Sequence, residues 1–281
     1  MVYAYDLDED NAIGCPFSFM EYIHGNTAQE ISQAYPGDYE GIPAEFKEKF
    51  WRQLAQIMIQ LAPIRLSKIG SITRDESGSF VVGPLIETGS GPYNSASEFY
   101  ADYPLALSKG LQPVSGQSKL VQKFRALAKS FEEQVSREGF GLAHYDLNAN
   151  NVLVDRLFNV LAIIDWDSAM AVPDAALHRI PFLLGMECPV PGIIETHPTI
   201  IKWLQLCRQF TAVVEEVGRE KDDHEGLVLT KEGFFSKEAV AFRSLIAVKM
   251  GQGWVNDEWI QGLRWLSKHN ERDIIQFYMT D

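Results

Sequence analysis

The sequence predicts an α+β protein that is mostly helical and wraps around a small central β element. Three observations lead there. Apolar residues recur at three- and four-residue steps over long stretches of the middle and last third, which marks amphipathic helices. Short runs rich in Val, Ile and Phe, bounded by Gly, Asn and Asp, interrupt this pattern and read as brief strands. Of 281 residues, 46% are hydrophobic and 22% charged, an ordinary globular balance that excludes a disordered or collagen-like chain.

Taken in order, Val2–Tyr5 and Phe17–Tyr22 read as two strands joined by the acidic turn DLDEDN and followed by the turn residues His24, Gly25 and Asn26. Two strands cannot bury a core alone, so they must pack on something else. From Pro43 the period changes: Phe46, Phe50, Leu54, Ile57, Met58 and Leu61 share one stripe of a long helix, with Pro43 in its first turn and Pro63 at its end. SITRD and SFVVG flank Glu76, Ser77 and Gly78 as a hairpin. Ser95 with Glu98 is a capping-box pair opening a helix that Pro104 is expected to interrupt. A second amphipathic helix is expected over Lys119–Arg137, stopping at Gly139. The last third reads as helices at Ile200–Glu220, Lys237–Met250 and Asp257–Tyr278, linked by segments such as REKDDHEG and GQGW. Trp203, Trp254, Trp259 and Trp265 fall at helical spacing there and are read as core.

Charge narrows the function. Lys and Arg number 25 against 38 Asp and Glu, a formal charge of -13, so the field repels nucleic acid and anionic membranes. Apolar runs such as Val160–Ile164 are cut short long before the roughly 20 residues of a membrane helix. The opening residues MVYAYDLDED carry neither a cationic stretch nor an apolar one, so the expected compartment is cytoplasmic. Cys15, Cys188 and Cys207 lie far apart with no His at ligand spacing, and are read as reduced, partly buried structural thiols.

Polar groups concentrate in GLAHYDLNANNVLVDRLFNVLAIIDWDSA. His144, Asp146, Asn150 and Asn151 form a loop between apolar strands; VLVD and VLAIID then form a tight hairpin that ends at Asp165 and Asp167. Such a hairpin brings Asn151 beside Asp165, an amide oxygen beside a carboxylate, which suits Mg²⁺. Asp146 on the preceding loop would be free to accept a proton. Singly, each residue is equally a turn former. Together, His-x-Asp-x4-Asn followed by strands ending in Asp has the order of a kinase catalytic loop and its metal-binding Asp. By composition these offsets arise by chance in on the order of one such chain in a hundred.

HYDLNANNVLVD, IIDWDSA, the hinge-like FSFMEYIHG and GPYNSASEFY together resemble the aminoglycoside/choline phosphotransferase family of the protein kinase-like superfamily, especially its fungal-type members, from Pro16 to about Gly185. The resemblance implies a protein kinase-like fold: residues 1–25 as strands and hinge left of the N-terminal lobe, and 26–281 as the helical C-terminal lobe, with catalytic loop 144–151 and metal-binding segment 163–168. It makes Asp146 the base that orients the acceptor hydroxyl, His144 a brace of the loop, and Asn151 and Asp165 ligands of Mg²⁺ bridging to ATP. The backbone of Met20, Glu21, Tyr22 and Ile23 would hold the adenine. Tyr145 stands where the family usually has Gly, and Asp167 where kinases have Gly.

The front of the chain departs from the family. The first Lys is Lys47 and the first Arg is Arg52, both beyond the hinge-like segment, and there is no GxxxxGK[ST] motif. ATP binding is therefore expected to be weak. Two expectations follow: an ATP/Mg²⁺-dependent phosphotransferase acting on a hydroxyl of a small metabolite, lacking most of the N-terminal lobe and inactive if that loss is decisive, or a non-catalytic kinase-like binding or scaffold module. A metal-dependent phosphatase ranks third, for want of further ligands. Exposed strand edges make homo-oligomerisation one expected remedy.

Overall fold

A computed structural model describes residues 1–35, 42–109, 115–181, 190–191, 198–220, 229–249 and 257–280. The expected strands at the front form a two-stranded antiparallel hairpin, β1 (Val2–Asp6) and β2 (Phe17–Met20). Its turn is tied by carboxylates: Asp6 accepts from the Asp8 N–H at 3.0 Å and Asp8 from the Asp10 N–H at 2.9 Å. The second strand stops at Met20, short of the expected Tyr22. The hairpin leans on a second one, since Arg74 donates to the Tyr5 hydroxyl and its guanidinium lies over the Tyr5 and Phe80 rings.

The short strand β3 (Asn26–Thr27) leads into helix α1 (Ala28–Ser32), closed by a full capping box between Thr27 and Glu30 that the sequence reading overlooked. Helix α2 (Ala44–Leu61) follows Pro43 as expected. Its buried face is wider than the predicted stripe, because Trp51 and Ala55 are also covered. The cover is a later helix: Trp51 meets Phe210 edge-on at 5.9 Å, and Arg52 bridges Glu216 and Glu220 at 2.9 and 2.5 Å.

The β structure exceeds the small element expected between Gly141 and Trp166. Strands β4 (Arg65–Leu66), β5 (Gly70–Arg74), β6 (Phe80–Gly83), β7 (Phe140–His144) and β10 (Ala169–Val172) make a five-stranded antiparallel sheet in the order β4-β7-β10-β5-β6. Between β7 and β10 the chain makes the hairpin β8 (Val152–Val154) and β9 (Val160–Ile163), which joins β3 in a three-stranded sheet. AMAV, a four-residue buried run with no alternation, carries no strand periodicity of its own; pairing with β7 and β5 makes it a strand. The β8–β9 turn is built by Asp155, which accepts from the Leu157 and Asn159 N–H groups, and places Phe158 at φ 55° with its ring fully buried against Phe46 and Phe50.

Helix α3 (Ala96–Ser108) is capped by Ser95, which accepts from the Glu98 N–H, while Glu98 accepts from Asn94 instead of completing the box. Pro104 does not interrupt it. One helical hydrogen bond is forfeited, but Phe99, Tyr100 and Tyr103 before it and Ala106 after it are buried and hold both halves in line. Helix α4 (Ser115–Ala128) ends well before the expected Arg137. Ser130 donates through both N–H and hydroxyl to the Leu127 carbonyl, and the turn swings Phe131 onto Tyr100 and Phe124, so helical spacing continues past the helix itself.

After α5 (Asp174–Leu177) come α6 (Pro198–Glu220) and α7 (Lys231–Phe234). The expected Lys237–Met250 helix is two pieces, α8 (Lys237–Arg243) and α9 (Ile246–Lys249), parted where Ser244 bonds back to the Ala241 carbonyl. Likewise Asp257–Tyr278 divides into α10 (Asp257–Lys268) and α11 (Glu271–Met279) at Asn270, which caps the latter by accepting from the Asp273 N–H. Trp259 is buried, and Trp203 and Trp265 pack on the core. Of the thiols expected to be partly covered, Cys207 is buried on α6, but Cys15 is exposed, because it lies in the turn of the front hairpin. Trp254, Cys188, Gly185, Met250 and the connections GQGW and, past Glu220, KDDHEG lie outside the described residues. Among the described residues no helix is long and apolar enough to cross a membrane.

One carboxyl in the helical core is out of its usual range. Glu238, at the start of α8, accepts from the Tyr100 hydroxyl at 2.7 Å, and burial pushes its pKa up to about 7, with Glu271, Glu132 and Asp174 adding repulsion. The folded protein therefore holds a proton there that the unfolded chain releases near its ordinary value. That contribution to stability is complete below about pH 4.5 and is lost as pH rises toward 7, at up to about 1.4 kcal/mol per pH unit. Glu238→Gln should flatten the fall in melting temperature between pH 5 and 7 relative to wild type; parallel curves would show that Glu238 does not carry it.

Candidate active site

The loop after β7 is organised by asparagines. Asn148 builds the turn itself, accepting from the Asn150 N–H through its side chain at 2.8 Å and from the Asn151 N–H through its carbonyl at 3.0 Å. Asn150 is exposed. Asn151 is only 6% exposed and does something else. Its side-chain N–H₂ donates to the Asp146 carbonyl at 2.8 Å and to Asp146 Oδ2 at 3.1 Å. The amide oxygen, on the other arm of the plane, makes no hydrogen bond among the described residues.

The same Asn151 fixes the second acidic segment. Its backbone carbonyl accepts from the Ile164 N–H at 2.9 Å, continuing the β8–β9 ladder in which Val152 faces Ile163. From the other side, His144 Nε2 donates to the Ile164 carbonyl at 2.8 Å, since a carbonyl can only accept. His144 is 7% exposed, its Nδ1 is buried without a partner among the described residues, and Trp166 covers its ring at 4.7 Å. Ile164 is thus clamped by both of its peptide groups, and Asp165 follows directly. Asp165 takes the left-handed conformation, φ 60° and ψ 64°, at a cost of about 1 kcal/mol. That reversal ends the strand and leaves an exposed carboxylate with no hydrogen bond among the described residues. Asp167 is exposed too. His144, Asp146, Asn151 and the backbone leading into Asp165 are therefore knit into one network.

The Met20–Ile23 segment leads through Gly25 into β3, which pairs with the same hairpin. The Glu21 N–H is taken by the Met1 carbonyl at 2.7 Å, and Tyr22 stacks edge-on against His24 at 4.8 Å. The peptide N–H groups of Tyr22 and Ile23 carry no hydrogen bond among the described residues. At Gly25 a Cβ would sit 2.8 Å from Leu161 Cδ1 and 3.0 Å from the Val154 carbonyl, so glycine permits this close approach to β8 and β9.

Sequence reasoning missed the cations behind the loop. Tyr145 is 9% exposed, its carbonyl accepts from Arg179, and the Arg179 guanidinium lies 4.2 Å from its ring centroid. Lys249 approaches the same ring at 5.6 Å and pairs with Glu87 at 3.0 Å. No local pattern announces contacts between residues so distant in sequence. A small, mostly apolar cleft adjoins the loop, lined by Met58, Leu61, Leu142, His144, Leu147 and Arg179 among others.

Among the described residues no three His, Cys, Asp or Glu side chains cluster as a metal site. Mg²⁺ does not need one, because it keeps several waters and takes one or two protein carboxylates plus substrate phosphates. The unbonded Asp165 carboxylate and Asn151 amide oxygen fit that requirement. Replacing Asn151 by Leu removes its two bonds to Asp146, leaving the Asp146 carbonyl only the Asn148 side-chain N–H₂ at 3.2 Å, while keeping the backbone latch to Ile164, and should lower the unfolding free energy by about 1–2 kcal/mol in denaturant titration. Asn150→Ala, at the exposed neighbour, should change it by less than about 0.5 kcal/mol; equal effects would mean that the buried amide bonds matter no more than surface ones.

No curated protein matches the chain. The family described as "Phosphotransferase enzyme family" matches residues 2–173, which take in both strand hairpins at the front, the Asn-built loop, the Asp165 segment and β10. The chain belongs to the phosphotransferase enzyme family and has the α+β, kinase-like fold expected of it.

Proposed function

We propose that the protein transfers the γ-phosphoryl group of ATP, with Mg²⁺, to a hydroxyl of a small metabolite. The observation that supports this most is the double role of Asn151, whose side chain holds Asp146 and whose backbone holds the strand end that presents Asp165. Residues 1–25 would supply strands and hinge of the smaller lobe, and 26–281 the helical lobe. The free N–H groups of Tyr22 and Ile23 suit the edge of a purine base.

In this reading Asp146 orients the acceptor hydroxyl and receives its proton as the new oxygen–phosphorus bond forms. The bond between the γ-phosphorus and its bridging oxygen breaks, and ADP leaves with that oxygen. His144 holds the loop through the Ile164 carbonyl and does not touch the reacting atoms. Asn151 and Asp165 would hold Mg²⁺, which supplies charge neutralisation on the phosphate oxygens when bound. Positioning and charge stabilisation are nearly the whole of such catalysis, so small displacements of these groups are costly. The activity would belong to the cytosol, where the exposed, unbridged Cys15 stays reduced.

A second reading, a kinase-like module that binds without turnover, is favoured by one feature: no Lys or Arg occurs before Lys47, so the strands at the front bring no cation to the triphosphate. Turnover separates the two. ADP formation should be measured with Mg²⁺ and ATP over a panel of small alcohols. Asp146→Asn and Asp165→Ala should each reduce wild-type turnover by about 10²-fold or more while the fold persists by circular dichroism. Equal activity in wild type and both variants rejects these roles; nucleotide binding without turnover favours the module.

A further inference from the structure

The Asp146 carbonyl is held by Asn151, yet the peptide just before it is held by a residue that the motif does not contain. Arg179 donates to the Tyr145 carbonyl and spreads its guanidinium over the Tyr145 ring at 4.2 Å. One planar cation thus fixes both the backbone and the side chain of the residue preceding Asp146. Arg179 is itself placed by a second arginine. Arg243, on α8 and 4% exposed, donates to the His178 carbonyl at 2.8 Å and to the Phe234 carbonyl at 2.6 Å. It makes no ion pair among the described residues. Burying a guanidinium on backbone carbonyls alone is costly, which argues that the position of the 178–179 peptide matters.

We propose that Arg179 is a positioning residue for Asp146, acting through the Tyr145 carbonyl, and that Arg243 anchors Arg179 from the helical core. The proposal rests on the phosphotransferase reading for its catalytic consequence and not for its structural one. The relay runs from α8 through His178, Arg179 and Tyr145 to Asp146. On the far side Asn151 closes it, so two successive carbonyls are each gripped by a side-chain donor. Such a loop has little freedom to move its carboxylate, which is what a base that must meet a bound hydroxyl requires.

The test combines two readouts on the full chain with Arg179→Ala and Arg179→Lys. In hydrogen exchange followed by mass spectrometry, the amides of Asn150 and Asn151, both bonded to Asn148, should exchange about tenfold faster in Arg179→Ala, while α2 amides stay as in wild type. In MgATP turnover, kcat should fall by roughly 10- to 100-fold with the KM for ATP changed less than about threefold, since the base moves and the nucleotide site does not. Arg179→Lys, which keeps the charge but not the fork, should recover part of each loss. Loop exchange and kcat both unchanged in Arg179→Ala would overturn the proposal, as would an equal rise in exchange across α2, which would make Arg179 a general stabiliser. If wild type shows no turnover while the loop exchange still responds, the functional reading fails and the positioning role stands.

Discussion

Everything in the site depends on the two-sided hold that Asn151 has on its surroundings. Its side-chain nitrogen keeps Asp146 in place, and its carbonyl fixes the N–H of Ile164, the residue before Asp165. Two acidic residues nineteen positions apart in sequence therefore share one rigid bridge. An amide suits this place because its two N–H donors reach both the carbonyl and the carboxylate of Asp146, which no apolar side chain could do. His144 reinforces the bridge at the far end by holding the Ile164 carbonyl, and the left-handed turn at Asp165 releases the carboxylate from the strand.

The supporting scaffold follows the same logic of fixing peptides rather than side chains. β7 delivers His144 at its end, β10 pairs with β7 in register, Ala169 opposite His144, and the β8–β9 hairpin rises between them. Aromatic rings from α2 close underneath the hairpin turn on Phe158. On the other side the helical core reaches in through Arg243 and Arg179. The loop is thereby anchored to the shared core from both the hairpin and the helical side.

Much of the site was legible in the sequence because its logic is local. The offsets among His144, Asp146 and Asn151 and the apolar runs VLVD and VLAIID are short-range signals, and the hairpin register follows from them. The long helices α2 and α6 were legible for the same reason. What the sequence hid was long-range. β4 and β10 are too short to show a period and exist through pairing alone. Pro104 and Phe131 misled in opposite senses: packing carried a helix through the first, and a turn kept helical spacing through the second. Arg179 and Arg243 look like ordinary surface cations in sequence, and only the folded chain brings them to backbone carbonyls near the loop.

The central claim is that oxygens of Asn151 and Asp165 serve one divalent ion beside Asp146. Electron paramagnetic resonance of Mn²⁺ titrated into the protein with a non-hydrolysable ATP analogue tests it directly. The account predicts bound Mn²⁺ that saturates at one ion per chain, depends on the nucleotide, and is lost in Asp165→Ala. Undiminished Mn²⁺ binding in Asp165→Ala, or none in wild type, would contradict it.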